Sequence, residues 1–336
     1  MTDFLVTVAI PTLAADGRLQ ECVEALALQT HRDFEVIVVD NSGQDLARRN
    51  GTAPGAQIIE NATNLGFGAA VNQAFQASHS PYLAVLNDDS VAHPEWLAAL
   101  VGALEQRSDA GMCASQVRLF GEAGLDSAGM LVARDGSSKQ RGHGRLPGDF
   151  PVAEEALFPS GSAAMYRRTM LEEVGGFDDT FFLYCEDTDL GLRARWAGWK
   201  CLYAPQAVVE HHYSHSAGRA SPIKAYYVER NRLFVLVKNF PFRMLIASPF
   251  AALARYSWHL WYGLQGRGSA ARFRAEGHAG LRMLWYVIRA HAAVLRHGPR
   301  LWRQRLEIRA RARITPAVFR RLIRSHSISL RRMASL

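Results

Sequence analysis

Phe34-Glu35-Val36-Ile37-Val38-Val39, closed by Asp40-Asn41-Ser42-Gly43, decides the fold of this chain. The run is nearly all apolar, so a strand made from it is covered on both faces, as in a parallel sheet. Upstream, Leu5-Val6-Thr7-Val8-Ala9-Ile10 is a second strand, halted at Pro11. Between the two, Arg18 to Gln29 sets Leu19, Cys22, Val23, Leu26 and Ala27 on one helical face. Downstream come a short strand at Gln57 to Glu60, a helix over Phe67 to Ala77, and the buried strand Tyr82-Leu83-Ala84-Val85-Leu86. His93-Pro94-Glu95 then opens another helix. Strand alternating with helix means a parallel α/β sheet with right-handed crossovers. Ligands of such sheets bind beyond the carboxyl ends of the strands. Pro11-Thr12, Asp40-Asn41 and Asn87-Asp88-Asp89 all fall at those ends. Further strands are expected near 111–120 and 160–167, with Arg134 to Gly148 as a mobile loop.

The densest chemistry lies in Phe181-Phe182-Leu183-Tyr184-Cys185-Glu186-Asp187-Thr188-Asp189-Leu190. Glu186, Asp187 and Asp189 follow an apolar, aromatic run, where ionising all three is costly. One carboxylate against a dry wall suits a general base. The competing reading is a helix start, where acids suit the dipole. Asp88 and Asp89 can hold Mg²⁺ or Mn²⁺, with phosphate oxygens as further ligands. A turn with an Asp at a helix N-cap fits them as well. Asp40 can accept hydrogen bonds from a base or ribose, or simply build a turn. In Asn64-Leu65-Gly66-Phe67-Gly68 the glycines let backbone approach a ligand, although a loop-to-helix turn needs them equally. His211-His212-Tyr213-Ser214-His215-Ser216 follows the strand-like Ala207-Val208-Val209. A histidine at a strand end can complete a metal site begun by carboxylates, or can be a solvated loop residue.

The chain has 336 residues, ample for a core, and its 49% apolar content is that of an ordinary globular protein. Its four cysteines lack CxxC or zinc-ligand spacing and read as reduced, mostly buried thiols of a cytosolic protein. No basic-then-apolar signal segment opens the sequence. The net charge of +8 is unevenly spread. From Arg219 onward there are 24 Lys+Arg against 3 Asp+Glu, or +21, which leaves −13 before it. Met244 to Leu264 is apolar but interrupted by Pro249, Arg255 and His259, a poor transmembrane span. From Gly280 to Arg305, arginines recur at 282, 289, 296 and 303, so they share one helical side. A basic amphipathic helix carrying Trp285 and Trp302 suits an anionic membrane surface. Helices docked on the acidic part, with solvated arginines, are the alternative. Charge alone permits nucleic-acid binding, but no nucleic-acid motif accompanies it.

Taken in order, Ala9-Ile10-Pro11-Thr12, Val38-Val39-Asp40-Asn41-Ser42, Asn64-Leu65-Gly66-Phe67-Gly68, Leu86-Asn87-Asp88-Asp89, Gly175-Gly176-Phe177-Asp178, Phe182 to Leu190, and His211 with Ser216 form an ordered set. The set resembles the family 2 glycosyltransferases of GT-A fold, closest to their rhamnosyltransferase-like branch, over residues 5–240. The resemblance implies an α/β, Rossmann-like GT-A domain at 1–240 and a basic, mostly helical extension at 241–336. It places nucleotide contacts at Pro11, Thr12, Asp40, Asn64, Gly66, Phe67 and Asp88. The metal-binding Asp-x-Asp of the family becomes Asn87-Asp88-Asp89, so the implied ligand of Mg²⁺ or Mn²⁺ is Asp89, joined by His211 or else His212. The implied base is Asp187, with Glu186 and Asp189 supporting acceptor, base or helix.

The implied reaction is a single inverting displacement. Asp187 takes the acceptor's proton, and a nucleotide-activated sugar is attacked at its anomeric carbon. The expected donor is dTDP-rhamnose, with UDP-sugars behind it. The expected acceptor is a glycan or lipid-linked glycan in cell-surface polysaccharide synthesis, met at the inner face of the plasma membrane. Self-association stays open. Two other classes compete: a catalytically silent sugar-nucleotide or membrane-binding protein, and a nucleotidyltransferase. The second normally carries a Gly-rich, Arg/Lys-bearing loop after the first strand. Here that place holds Pro11-Thr12-Leu13-Ala14-Ala15-Asp16-Gly17.

Overall fold

A computed structural model describes residues 4–13, 17–212, 222–268, 271 and 280–335. The chain divides into two compact units, Met1–Met130 with Gln140–Tyr213, and Leu131–Lys139 with Ser214–Leu336. In chain order the elements begin with β1 (Val6–Thr12), α1 (Arg18–Ala27), β2 (Phe34–Asp40), α2 (Leu46–Arg49), β3 (Gln57–Glu60), α3 (Phe67–Ala77), β4 (Tyr82–Leu86), β5 (Ser90–Ala92) and α4 (Trp96–Glu105). There follow β6 (Ala110–Leu119), β7 (Leu125–Ser127), β8 (Met130–Val132), β9 (Ser138–Gln140), β10 (Glu154–Ala156), β11 (Ala163–Arg167), α5 (Arg168–Val174), α6 (Glu186–Trp196) and β12 (Lys200–His211). The helices α7 (Pro222–Asn239), α8 (Phe242–Leu264), α9 (Gly280–Ala310), α10 (Pro316–Ser325) and α11 (Leu330–Ser335) complete the chain.

In the first unit one large sheet runs β10-β12-β6-β11-β4-β1-β2-β3. The half read from the apolar runs is parallel throughout: β4, β1, β2 and β3 pair in register, with Thr12 beside Asp40 and Asp40 beside Glu60. Ile37, Val38 and Val39 are fully buried, each worth roughly 1.5–3 kcal/mol over exposure. Leu19, Cys22, Val23 and Leu26 of α1 join Trp96, Leu97 and Leu100 of α4 in the same core cluster. The other half departs from a purely parallel sheet. β11 enters antiparallel between β4 and β6, and β12 lies parallel to β6. A five-residue apolar strand carries no record of its direction, so this reversal had no local signature.

The topology gathers the polar strand ends. Asn87 donates its backbone N–H to the Ser162 carbonyl at 2.9 Å, where β11 begins beside the end of β4. β12 pairs with β5 and delivers His211 opposite Ser90.

In the second unit α7 packs along α9, and α8 along α11. The helical unit therefore includes α7, and the expected division at residue 240 separates helices that pack together. The Arg134 to Gly148 stretch, expected as a loop, instead contains β9 and a fully buried Asp135. Asp135 is held because Arg255 Nε lies 2.6 Å from its Oδ2. Arg255 also reaches Glu229 at 2.6 Å, and Arg232 Nε donates to Glu229 at 2.9 Å. Burial raises the Glu229 carboxyl, but the charges of Arg255 and Arg232 outweigh it and bring it down to about 2. Two acids and two guanidiniums thus neutralise one another out of water, the condition under which buried charges persist. No helix among the described residues is long and apolar enough to cross a membrane.

Candidate active site

Two acid centres form at the carboxyl edge of the sheet. The first is built on α6. Its entry is an unusual backbone: Phe182, Tyr184 and Cys185 all have positive φ, at 61°, 69° and 65°. Leu183 N–H reaches the Phe181 carbonyl at 2.7 Å, closing a three-residue turn at Phe182. Non-glycine residues in such regions cost about 1–3 kcal/mol each and persist only where surroundings over-determine them. Here the surroundings are the Asn64-Leu65-Gly66-Phe67 loop. Phe67 N–H donates to the Phe182 carbonyl at 2.9 Å. Gly66 has φ 90°, and a Cβ there would overlap that same carbonyl. Asn64 Oδ1 accepts the Gly66 N–H at 2.9 Å, while Asn41 Nδ2 donates to the Gly66 carbonyl at 3.2 Å. The two expected motifs therefore interlock through backbone.

Downstream of this turn, Asp187 is partly exposed and Glu186 is buried. Asp187 Oδ2 accepts the Gly161 N–H at 3.1 Å, and Oδ1 accepts from Thr188 N at 2.6 Å and Thr188 Oγ1 at 3.1 Å. Burial raises the Asp187 carboxyl, and these donors pull against the rise. Glu186 Oε2 is buried without a hydrogen-bond partner. Burial, then the charge of Asp187, pushes Glu186 up to about 8. The pair divides its roles by environment. Burial raises both carboxyls, and Asp187 has three donors to stabilise its charge.

The second centre is built on the ends of β4 and β12. Asp89 Oδ1 lies 3.1 Å from His211 Nε2. His211 Nδ1 lies 2.9 Å from Asp126 Oδ2 on β7. Burial disfavours the imidazolium, but the hydrogen bonds to Asp126 and Asp89 win and raise His211 to about 10. Burial likewise works to raise Asp89, yet His211 holds it below the ordinary carboxylate value. Thr12 Oγ1 donates to Asp88 Oδ2 at 2.6 Å, so Asp88 faces the end of β1. His212 turns elsewhere: it stacks on Phe120 at 3.8 Å between centroids and lies 3.4 Å from Glu21.

A two-residue backbone bridge joins the centres. Gly161 N–H binds Asp187, and the next carbonyl, Ser162, receives Asn87 N–H. The sequence model for Glycosyl transferase family 2 matches residues 7–175, which include both the β4 acids and this bridge. The chain belongs to glycosyl transferase family 2. It is a glycosyltransferase, and its sheet is the GT-A fold.

Relatives within the family point the same way. The chain is 31% identical over 244 residues to an N-acetylglucosaminyl-diphospho-decaprenol L-rhamnosyltransferase of Mycobacterium tuberculosis, covering 65% of this chain and 79% of that one. It is 25% identical to the O-antigen chain rhamnosyltransferase WbaN of Salmonella anatum, covering 62% and 67%. Among solved structures, a mannosyltransferase from Pyrobaculum calidifontis in complex with GDP-Man and Mn²⁺ superposes with a TM-score of 0.53 at 17% identity, over 94% of this chain and 88% of that one. GalNAc-T7 with UDP, GalNAc and Mn²⁺ gives 0.61 at 15% identity, over 76% of this chain and 51% of that one.

Within this glycosyltransferase, several expected site residues have visible local tasks. Asp40 is almost wholly buried; its oxygens accept the Ser42 and Ala47 N–H groups, each at 2.8 Å, so the turn role is realised. Pro11 stands beside Val39 on β1, one residue before Thr12. Phe67 packs edge-on to Phe177, with Gly161 against its ring. Asp189 is fully buried and paired with Arg193 Nε at 2.8 Å, within one turn of α6. Sequence reasoning missed Asp126 and Gly161. One is a lone acid in a three-residue strand, the other a glycine that acts through its backbone.

Proposed function

We propose that this glycosyltransferase transfers a rhamnosyl group, with inversion, from a dTDP-linked donor to a hydroxyl of a lipid-linked glycan in cell-surface polysaccharide synthesis. The observation that carries the mechanism is the Gly161–Ser162 bridge, which ties the proton-accepting centre to the β4 acids. The rhamnosyltransferase names of two relatives support the donor sugar and the polysaccharide acceptor. Asp187 accepts the proton of the acceptor hydroxyl, and that oxygen attacks the anomeric carbon from the face opposite the nucleotide. The diphosphate departs with the electron pair of the broken glycosyl bond. Pro11, Thr12, Asn64, Gly66, Phe67 and Asp88 surround the nucleotide in this reading, while the buried Asp40 holds the turn after β2.

The second centre fits a divalent cation. Asp89 Oδ1 is buried 3.1 Å from His211 Nε2, and the two make a carboxylate–imidazole donor pair that suits Mn²⁺, with Mg²⁺ second. Among the described residues no group of three or more ligating side chains forms, and Asp89 with His211 is the pair that would hold such a cation. Held by Asp89 and His211, such a cation supplies neutralisation of the leaving diphosphate. Thermal-shift titration with dTDP-rhamnose and UDP-sugars, with and without Mn²⁺, tests donor and cation together. The dTDP donor should stabilise most, Mn²⁺ should add to it, and Asp89→Ala should abolish the increment. The His211 proton must leave before Nε2 can ligate. Cation binding should therefore tighten with rising pH, by up to about tenfold per unit below pH 10. A dTDP donor that stabilises equally without Mn²⁺ would remove the cation from the reading.

The helical extension is read as a peripheral contact with an anionic membrane, at the inner face where a lipid-linked acceptor is found. Leu284, Ile288, Leu295, Trp302 and Leu306 stand exposed along α9, on a side next to the arginines. Sedimentation with anionic liposomes should fall steeply as salt rises. Leu295→Glu, at a residue 81% exposed, should weaken it without changing the melting temperature. Equal binding to neutral liposomes would refute this placement.

A further inference from the structure

We propose that Asp126 is a positioning residue, which fixes the nitrogen that His211 presents to a divalent cation. This rests on the cation site read above. Asp126 lies on β7, whose pairing to β6 sets Ser127 against Val117 and Leu125 against Arg118. β6 in turn sets Leu119 against His211. The sheet register therefore brings together an acid and a histidine that lie 85 positions apart.

Asp126 is almost wholly buried, so it is beyond reach of sugar or phosphate. Its Oδ2 takes the His211 Nδ1–H at 2.9 Å. A neutral imidazole has one donor and one acceptor nitrogen. Donation at Nδ1 leaves the lone pair on Nε2, which is the nitrogen 3.1 Å from Asp89 Oδ1. With the opposite tautomer an N–H would point where the cation must sit. Asp126 is itself clamped from the far side. His143 Nδ1 lies 3.3 Å from Oδ1 and 3.2 Å from the Asp126 carbonyl, and a bridge joins Leu125 to His143. The carboxylate thus stands between two rings and cannot swing away from His211. Carboxylates behind a ligating histidine serve this purpose generally, and their loss costs about 10–100-fold in metal affinity.

The test is Mn²⁺ binding to the full chain in the presence of dTDP, with free Mn²⁺ read by electron paramagnetic resonance. Asp126→Ala should bind about 10–100-fold more weakly. Asp126→Leu, which fills the space with an apolar group and leaves no buried charge, should show the same loss. Asp126→Asn retains a carbonyl acceptor for Nδ1–H and should stay within about threefold of the parent. The proposal is overturned if Asp126→Leu binds Mn²⁺ like the parent. It is equally overturned if Asp126→Asn is as weak as Asp126→Leu while both melt like the parent. Parent binding that Asp89→Ala leaves unchanged would instead overturn the cation site itself, and this proposal with it.

Discussion

Asp187→Asn should slow sugar transfer by about 10²–10⁴-fold, the range for loss of a general base, while donor binding and the Mn²⁺ increment persist. The amide keeps an oxygen for the Thr188 donors but can no longer take a proton. Its NH₂ would then face the Gly161 N–H, a local repulsion that leaves the rest of α6 intact. Steady-state kinetics should show the loss in kcat, with KM for donor near the parent value. Glu186→Gln makes the contrasting case. Glu186 is raised to about 8 by burial and then by Asp187, so the native state keeps a proton that the unfolded chain releases above its ordinary carboxyl value. Native protein binding more protons means that stability falls as pH rises between those two values. Glu186→Gln should remove that decline, so urea midpoints at pH 8–9 should exceed those of the parent. Transfer abolished in Glu186→Gln but retained in Asp187→Asn would reverse the two roles.

Asp189→Ala should cost the fold about 3–5 kcal/mol, the range for stripping one partner from a buried pair. Whole domains are stable by only about 5–15 kcal/mol, so the variant should unfold far earlier in urea. The reason is what remains. Arg193 keeps the Val174 and Gly176 carbonyls, each at 2.6 Å, but loses the Asp189 carboxylate on α6. A guanidinium left in a dry site without a counter-charge carries its full desolvation cost. A stable Asp189→Ala protein with the kinetic defect of Asp187→Asn would return Asp189 to the acceptor site.

How much of this was legible depended on how local the signal was. The β2 run showed a doubly covered strand because Ile37, Val38 and Val39 are apolar in succession, and β1 to β4 followed from alternation with helices. The positions of Asp187 at the start of α6 and of His211 at the end of β12 were legible through the runs around them. The direction of β11 was not, since it is set by partners on either side. The buried Asp135 lay hidden in a Gly- and Ser-rich stretch because its neutralising arginines, Arg232 and Arg255, come a hundred residues later in the sequence, a pairing only the fold creates. The arginine repeat along α9 marked a helix correctly, but α7 had to be seen packed on it before the unit could be bounded.

The seat of Gly66 and Phe67 on the Phe182 carbonyl also bears on how specificity can be moved between relatives. A graft of the segment around Gly66 alone would arrive without the left-handed turn that receives it. A graft of the turn alone would bring a carbonyl with no amide to meet it. The exchangeable cassette is both segments together, and donor preference should transfer only when residues flanking Gly66 and Phe182 travel as one.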